Sequence, residues 1–259
     1  MGTARPSRST ASIPKGILQY STSISRALSV DYRLSSVPPS ESKNPFPAAV
    51  INATAAYKYL VCELGFLPQN ITIAGESAGG NLTLAVTRYI VESHLPHLPP
   101  PGGLIVISPR PDMSFSRSGG DTSHFLNLES DIFSPTRDID ARIVGAYLGE
   151  MDLEETRRNR YLSPTSKFVV PANVDEGGKV FSGFPRSYIM GGGAERLFDD
   201  IVVLSERMKE DGVDVVTDFH PDAVHVYPEF SWHEPERTES FIKCTTWLDK
   251  HRATTSSES

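Results

Sequence analysis

Residues Gly75-Glu76-Ser77-Ala78-Gly79-Gly80 constrain this chain more than any other stretch, because of what flanks them. The apolar run Ile71-Thr72-Ile73-Ala74 leads in, and the helix-capable run Asn81-Leu82-Thr83-Leu84-Ala85-Val86 leads out. The order is strand, sharp turn, helix, with a serine at the apex. The flanking glycines carry no Cβ, so the chain can turn tightly and bring strand and helix together. The serine hydroxyl is then pushed out at the carboxyl end of the strand, and the backbone N–H groups that follow point at whatever it attacks. A G-x-S-x-G pattern alone recurs by chance, but here the context that a nucleophile elbow requires is also present.

The rest of the sequence alternates strand and helix. Strands are expected at Ala27–Tyr32, Ile71–Ala74, Leu104–Ser108, Arg186–Met190 and Val213–Phe219. Helices are expected from about Pro47 to Leu64, from Gly79 to Glu92, around Ile139–Leu148, from Glu195 to Asp211 and near Glu236–His251. Such alternation predicts an α/β fold: a mostly parallel sheet with helices on both faces. Reactive groups then belong at the carboxyl ends of the strands. The 259 residues fit one large unit. Residues 1–25 read as an irregular amino-terminal segment, 26–251 as the folded domain with a partly irregular, cap-like insertion over 110–180, and 252–259 as a disordered tail.

Composition narrows the partners. A formal charge of −7 argues against nucleic acid and anionic membrane surfaces. No apolar run is long enough to span a bilayer. The two cysteines, Cys62 and Cys244, lie in helix-like apolar stretches and read as buried thiols of a reducing compartment, which places the chain in the cytoplasm. The acid-poor start, with Arg5, Arg8, Lys15 and Arg26 among many Ser and Thr, resembles a mitochondrial transit peptide and offers that location as the alternative. The sequons at Asn52, Asn70 and Asn81 carry little weight without a secretory signal. Neither a metal nor another cofactor is expected.

A serine nucleophile needs a base to remove its proton, and the base needs a third group to hold its ring. Of seven histidines, His94 and His97 fall in a Pro-rich linker, His124 in the insertion and His251 in the tail helix. His220 and His233 have no supporting context. His225 lies in the loop after the last strand, at the sheet edge from which Ser77 emerges, and is the candidate base. The acid belongs after the preceding strand, in the order serine, acid, histidine. Glu195 is the first acid beyond that strand, in Gly191-Gly192-Gly193-Ala194-Glu195. Asp199 is held in reserve; it and Asp200 look like helix-face residues.

Taken together these segments resemble the hormone-sensitive-lipase family of α/β-hydrolases, especially its fungal and bacterial esterases. Val30-Asp31-Tyr32-Arg33-Leu34 is similar to that family's strand motif, and Pro45-Phe46-Pro47-Ala48-Ala49 to the start of its next helix. Gly75–Gly80 matches the GDSAGG elbow, with Glu76 for Asp. Ser108-Pro109 with Asp112, and Ser163-Pro164, are similar to segments between later strands. Gly193–Asp199 resembles the acid motif with Glu195 where Asp is commoner, and Val224-His225 the histidine motif. The matches run from about residue 27 to 250.

The resemblance implies a serine hydrolase acting on a small-molecule carboxylic ester through Ser77, His225 and Glu195, with short or medium acyl chains and a place in specialised metabolism among the implied roles. It also implies what is missing. Family members carry an HGGG-type loop before the nucleophile whose N–H groups help hold the oxyanion. Here no histidine precedes His94 and no glycine run precedes Ser77. The amino-terminal strands and cap are therefore expected to be absent, and Ala78 and Gly79 are left as the oxyanion donors. A ligand-binding module of the same fold, a catalytically impaired truncated form that acts as an interaction partner, and elimination or cyclisation chemistry remain as other readings. Phe115, Phe125, Phe133 and Tyr147 in the insertion read as local core rather than pocket lining. Substrate identity and oligomeric state are not legible.

Overall fold

A computed structural model describes residues 11–37, 39–132, 137–152, 154–170 and 178–255. Thr72–Glu76 (β1), Gly103–Ile107 (β2), Ser187–Gly192 (β3) and Val215–His220 (β4) form one parallel sheet in the order β1-β2-β3-β4. Each strand is followed by a helical connection, so successive strands add on the same side and β1 ends at the margin.

The strand residues explain the layering. Along β2, Leu104 and Val106 face one way, against Leu84 of helix α3 (Ala78–Ser93) and Ile201, Leu204 and Met208 of α7 (Phe198–Glu210). Ile105 and Ile107 face the other, against Ile13 of α1 (Ser12–Tyr20) and Cys244, Trp247 and Leu248 of α8 (Glu236–Thr255). In β3, Ile189 joins the first cluster, and Tyr188 and Met190 join the second. Period-two alternation with both faces apolar is what a sheet covered on both sides requires. All four of these β2 side chains are at most 1% exposed, and burying each contributes about 1.5–3 kcal/mol. Helix α2 (Ala48–Lys58) packs outside α3 through Ala49, Val50 and Tyr57.

Several expectations are corrected. Ala27–Tyr32 is not a strand: among the described residues it has no ladder partner, and Leu28 is 54% exposed. An apolar run becomes a strand only when another strand takes its N–H and C=O groups. The irregular start contains helix α1, seated on α8. Asp249 of α8 then accepts hydrogen bonds from the Ser21 and Ser23 hydroxyls and from the N–H and hydroxyl of Thr22, tying the next residues down. The last helix runs past His251 to Thr255, into the expected tail. Cys62 is exposed, because it lies in the wider π turn Tyr59–Glu63, none of whose side chains is buried. Cys244 is buried.

The insertion holds short helices α4 (Ser123–Leu126) and α6 (Glu155–Arg158) and the longer α5 (Arg137–Leu148). Phe115 and Tyr147 pack with Met113, Val144, Leu148 and Leu162 as local core. Phe125 is instead 51% exposed, and Phe133 lies outside the described residues. No helix among the described residues is long and apolar enough to cross a membrane.

Candidate active site

Ser77 follows β1 directly, and its backbone is fixed before its side chain matters. Its N–H donates to Ile107 O at 2.9 Å, and its carbonyl accepts from the N–H groups of Gly80, Asn81 and Arg110 at 3.1–3.2 Å. Its φ is +53°, a left-handed value that few non-glycine residues take and that turns the side chain outward as α3 begins. Gly75 makes the turn sterically feasible: a Cβ there would lie 2.2 Å from Gly79 O. The second glycine behaves differently, since a Cβ on Gly79 meets nothing within 4 Å. Ala78 and Gly79 open α3, where N–H groups have no acceptor within the helix.

His225 and Glu195 arrive from β4 and β3. Their loops touch closely because Gly192 presents no side chain; a Cβ there would sit 2.1 Å from Ala223 O. Gly193 N–H donates to His220 O and Ala194 N–H to Ala223 O, which locks the two loops together. The result is a continuous chain of polar contacts. His225 Nε2 is 2.9 Å from Ser77 Oγ, and His225 Nδ1 is 2.7 Å from Glu195 Oε2. An ionised carboxylate can only accept, so Nδ1 carries a proton and Nε2 of the neutral ring offers a lone pair to the serine. Glu195 is 0% exposed and His225 6%.

Burial works to lower the His225 pKa, but the hydrogen bond and charge of Glu195 outweigh it, with Asp131 and Glu76 adding, so the group is raised. Glu76 and Glu229 both interact electrostatically with this histidine. Burial pushes Glu76 up, and burial with repulsion from Glu76 pushes Glu229 up to about 7.

Other sequence candidates go elsewhere. Asp199 Oδ2 accepts from Ser123 N–H at 2.8 Å, and Asp200 pairs with Arg117 at 3.4 Å. His220 Nε2 lies 3.1 Å from Ser240 Oγ, and His233 Nε2 accepts Val224 N–H at 3.3 Å. His124 Nε2 stands 2.7 Å from Arg196. Supporting roles were not legible in the sequence. Glu195 Oε1 accepts from Gly192 N–H and Ser108 Oγ, and Asn127 Nδ2 donates to the carbonyls of Gly193 and Glu195. Their signal is three-dimensional: Ser108 and Asn127 sit 87 and 68 residues from Glu195. A concavity of about 540 Å³ lined by Gly102, Pro185, Arg186, Asp214 and Lys250 opens at the amino-terminal ends of the strands, away from Ser77.

A family model described as the alpha/beta hydrolase fold matches residues 19–229. The chain belongs to that family. Among its structural neighbours, this alpha/beta hydrolase superposes on a crystal structure of EstE5 soaked with p-nitrophenyl butyrate. The TM-score is 0.72 at 32% identity, over 92% of this chain and 69% of that one. An esterase from the bacterial hormone-sensitive lipase family gives 0.67 at 29% identity, over 85% and 64%, in keeping with the resemblance read from the motifs. Acetyl-hydrolase of Streptomyces hygroscopicus is 30% identical over 193 residues, 74% of this chain and 55% of the relative. Carboxylesterase NlhH of Mycobacterium tuberculosis is 27% identical over 219 residues, 82% and 60%. The chain thus spans between 55% and 60% of the length of these two relatives.

Proposed function

We propose that the chain is a serine hydrolase cleaving carboxylic esters of small molecules through Ser77, His225 and Glu195. The observation that carries this reading is the 2.9 Å contact between Ser77 Oγ and His225 Nε2, within the reach a general base needs. His225 Nε2 takes the hydroxyl proton while Ser77 Oγ attacks the ester carbonyl. The tetrahedral oxyanion forms beside the N–H groups of Ala78 and Gly79, which act as donors there. His225 then gives its proton to the departing alcohol, leaving an acyl-serine. Water attacks the acyl group, passes a proton to His225, and the acid leaves as Ser77 recovers its hydrogen. Glu195 holds the ring and balances the imidazolium charge throughout.

Kinship supports the choice of probe. The relatives bear the names acetyl-hydrolase and carboxylesterase, and the neighbouring structure was soaked with p-nitrophenyl butyrate; short-chain esters, including those of specialised metabolism, are the proposed substrate class. A reducing, cytoplasmic setting is part of the proposal, supported by the free thiols Cys62 and Cys244. The test is hydrolysis of p-nitrophenyl acetate and butyrate together with fluorophosphonate labelling, for wild type and Ser77→Ala. The variant is expected to lose both, with turnover down at least about 10³-fold. Equal turnover in the two proteins sinks the mechanism.

A further inference from the structure

Ser108 hydrogen-bonds both Glu195 and Val226, the residue that follows His225. It is the first residue after β2, which lies between the strand of Ser77 and the strand of Glu195. Its N–H still donates to Met190 O at 2.9 Å, so its backbone stays in register with β3. Its φ is +43°, and its side chain is 0% exposed. A buried serine with a left-handed backbone is a local oddity of the kind that clusters at functional sites.

The hydroxyl has one proton and lone pairs to spend. Glu195 Oε1 can only accept, so the proton goes to it, at 2.9 Å. The oxygen of the same hydroxyl accepts the N–H of Val226, also at 2.9 Å. Val226 follows His225, is 4% exposed, and has φ +53°, an unfavourable value for a β-branched residue. Gly192 N–H is a second donor to Oε1, at 2.7 Å. With both donors on Oε1, Oε2 is the oxygen presented to the His225 ring.

We propose that Ser108 is a positioning residue of the active site: one hydroxyl fixes which oxygen of Glu195 faces His225 and pins the backbone step that aims the imidazole at Ser77. The proposal rests on the hydrolase reading for its kinetic consequences. A hydroxyl that merely fills a polar vacancy would affect stability when removed and leave the titration of His225 alone. A positioning hydroxyl shifts it. When the carboxylate swings away, the ring loses the partner that holds its proton, and burial then favours the neutral form against the smaller pull of Asp131 and Glu76.

The experiment compares Ser108→Gly and Ser108→Ala with wild type. Glycine suits the left-handed backbone, so Ser108→Gly removes the hydroxyl without adding strain. Both variants are expected to lower kcat for p-nitrophenyl acetate by on the order of 10- to 100-fold, the value of a hydrogen bond to a charged group. KM should stay within about twofold, the pattern of a lost transition-state interaction. The acid limb of kcat/KM should move to lower pH, and an NMR titration of the His225 ring should move the same way. A folded Ser108→Gly protein with wild-type kcat and an unmoved His225 titration overturns the proposal. A wild type that neither turns over ester nor reacts with a fluorophosphonate overturns the hydrolase reading instead, and the NMR titration then decides the role of Ser108 by itself.

Discussion

Glu195 Oε2 stands 2.7 Å from His225 Nδ1 across 30 residues of chain that include α7 and β4. This contact raises the pKa of the buried ring above its ordinary 6.5 despite the opposing effect of burial. A general base works as the neutral form, so the raised value moves the acid limb of kcat/KM upward in pH. In Glu195→Gln the charge is gone; kcat is expected to fall about 10²–10⁴-fold and the acid limb to shift to lower pH. A pH series with p-nitrophenyl acetate measures both. Stability follows with the same sign. The folded state binds this proton more tightly, so the contribution is fully present below about 6.5 and fades as pH rises through the folded value.

The two elbow glycines are expected to respond oppositely to alanine. At Gly75 the new Cβ would lie 2.2 Å from Gly79 O and 2.5 Å from Thr83 Oγ1. That overlap involves backbone that cannot move alone, and the cost is expected to exceed about 3 kcal/mol. At Gly79, inside the first turn of α3, nothing lies within 4 Å, and alanine is expected to raise stability by roughly 0.5–1 kcal/mol. Thermal unfolding of the two variants checks the contrast.

Asp200 supplies a second pH dependence, of the same sign as that of His225. Burial, with repulsion from Asp112 and Asp199 only partly offset by Arg117, pushes it up to about 7. Between about pH 4 and 7 the folded state holds a proton that the unfolded chain has released, so this group weakens stability as pH rises. Asp200→Asn is expected to remove that slope and to be the more stable protein at pH 7.5. Urea unfolding at pH 5.0 and 7.5 reads the difference; equal slopes in both proteins count against it.

Asn127 tethers the acid loop from outside, donating to the carbonyls of Gly193 and Glu195 at 2.8 and 2.9 Å. Removing both bonds in Asn127→Ala is expected to cost about 1–3 kcal/mol. Because the loop carries Glu195, kcat is expected to drop while KM changes little. A fall in stability with kcat untouched would mean that the loop keeps its place without this anchor.

The parts of the site that were legible in the sequence are those written locally. The turn at Ser77 is signalled by glycines beside it, and Glu195 and His225 follow strands whose apolar runs are easy to see. The acid and base could be assigned because parallel strands deliver their carboxyl ends to one edge, a consequence of topology that needs no contact information. The supporting roles of Ser108 and Asn127 escaped: the Ser108-Pro109 resemblance says nothing of a bond to the acid, nothing beside Asn127 marks it, and each is tied to Glu195 by folding alone. Ala27–Tyr32 failed for a related reason. Its residues suit a strand, but pairing belongs to the neighbour, and no strand lies beside it among the described residues. Cys62 escaped because a π turn changes which side faces out, and helical periodicity assumes that no such turn intervenes.

Ser77 rises from β1, one of the two outer strands of the four among the described residues. Margins of a sheet open more readily than its centre, since one flank of their ladder is held by nothing but solvent or side chains. The nucleophile therefore rides on an outer strand, while its acid rides on β3, an inner one. Warming should separate them before the domain melts: amide exchange in β1 and the loss of fluorophosphonate reactivity are expected to advance together, at temperatures where β2 and β3 remain protected.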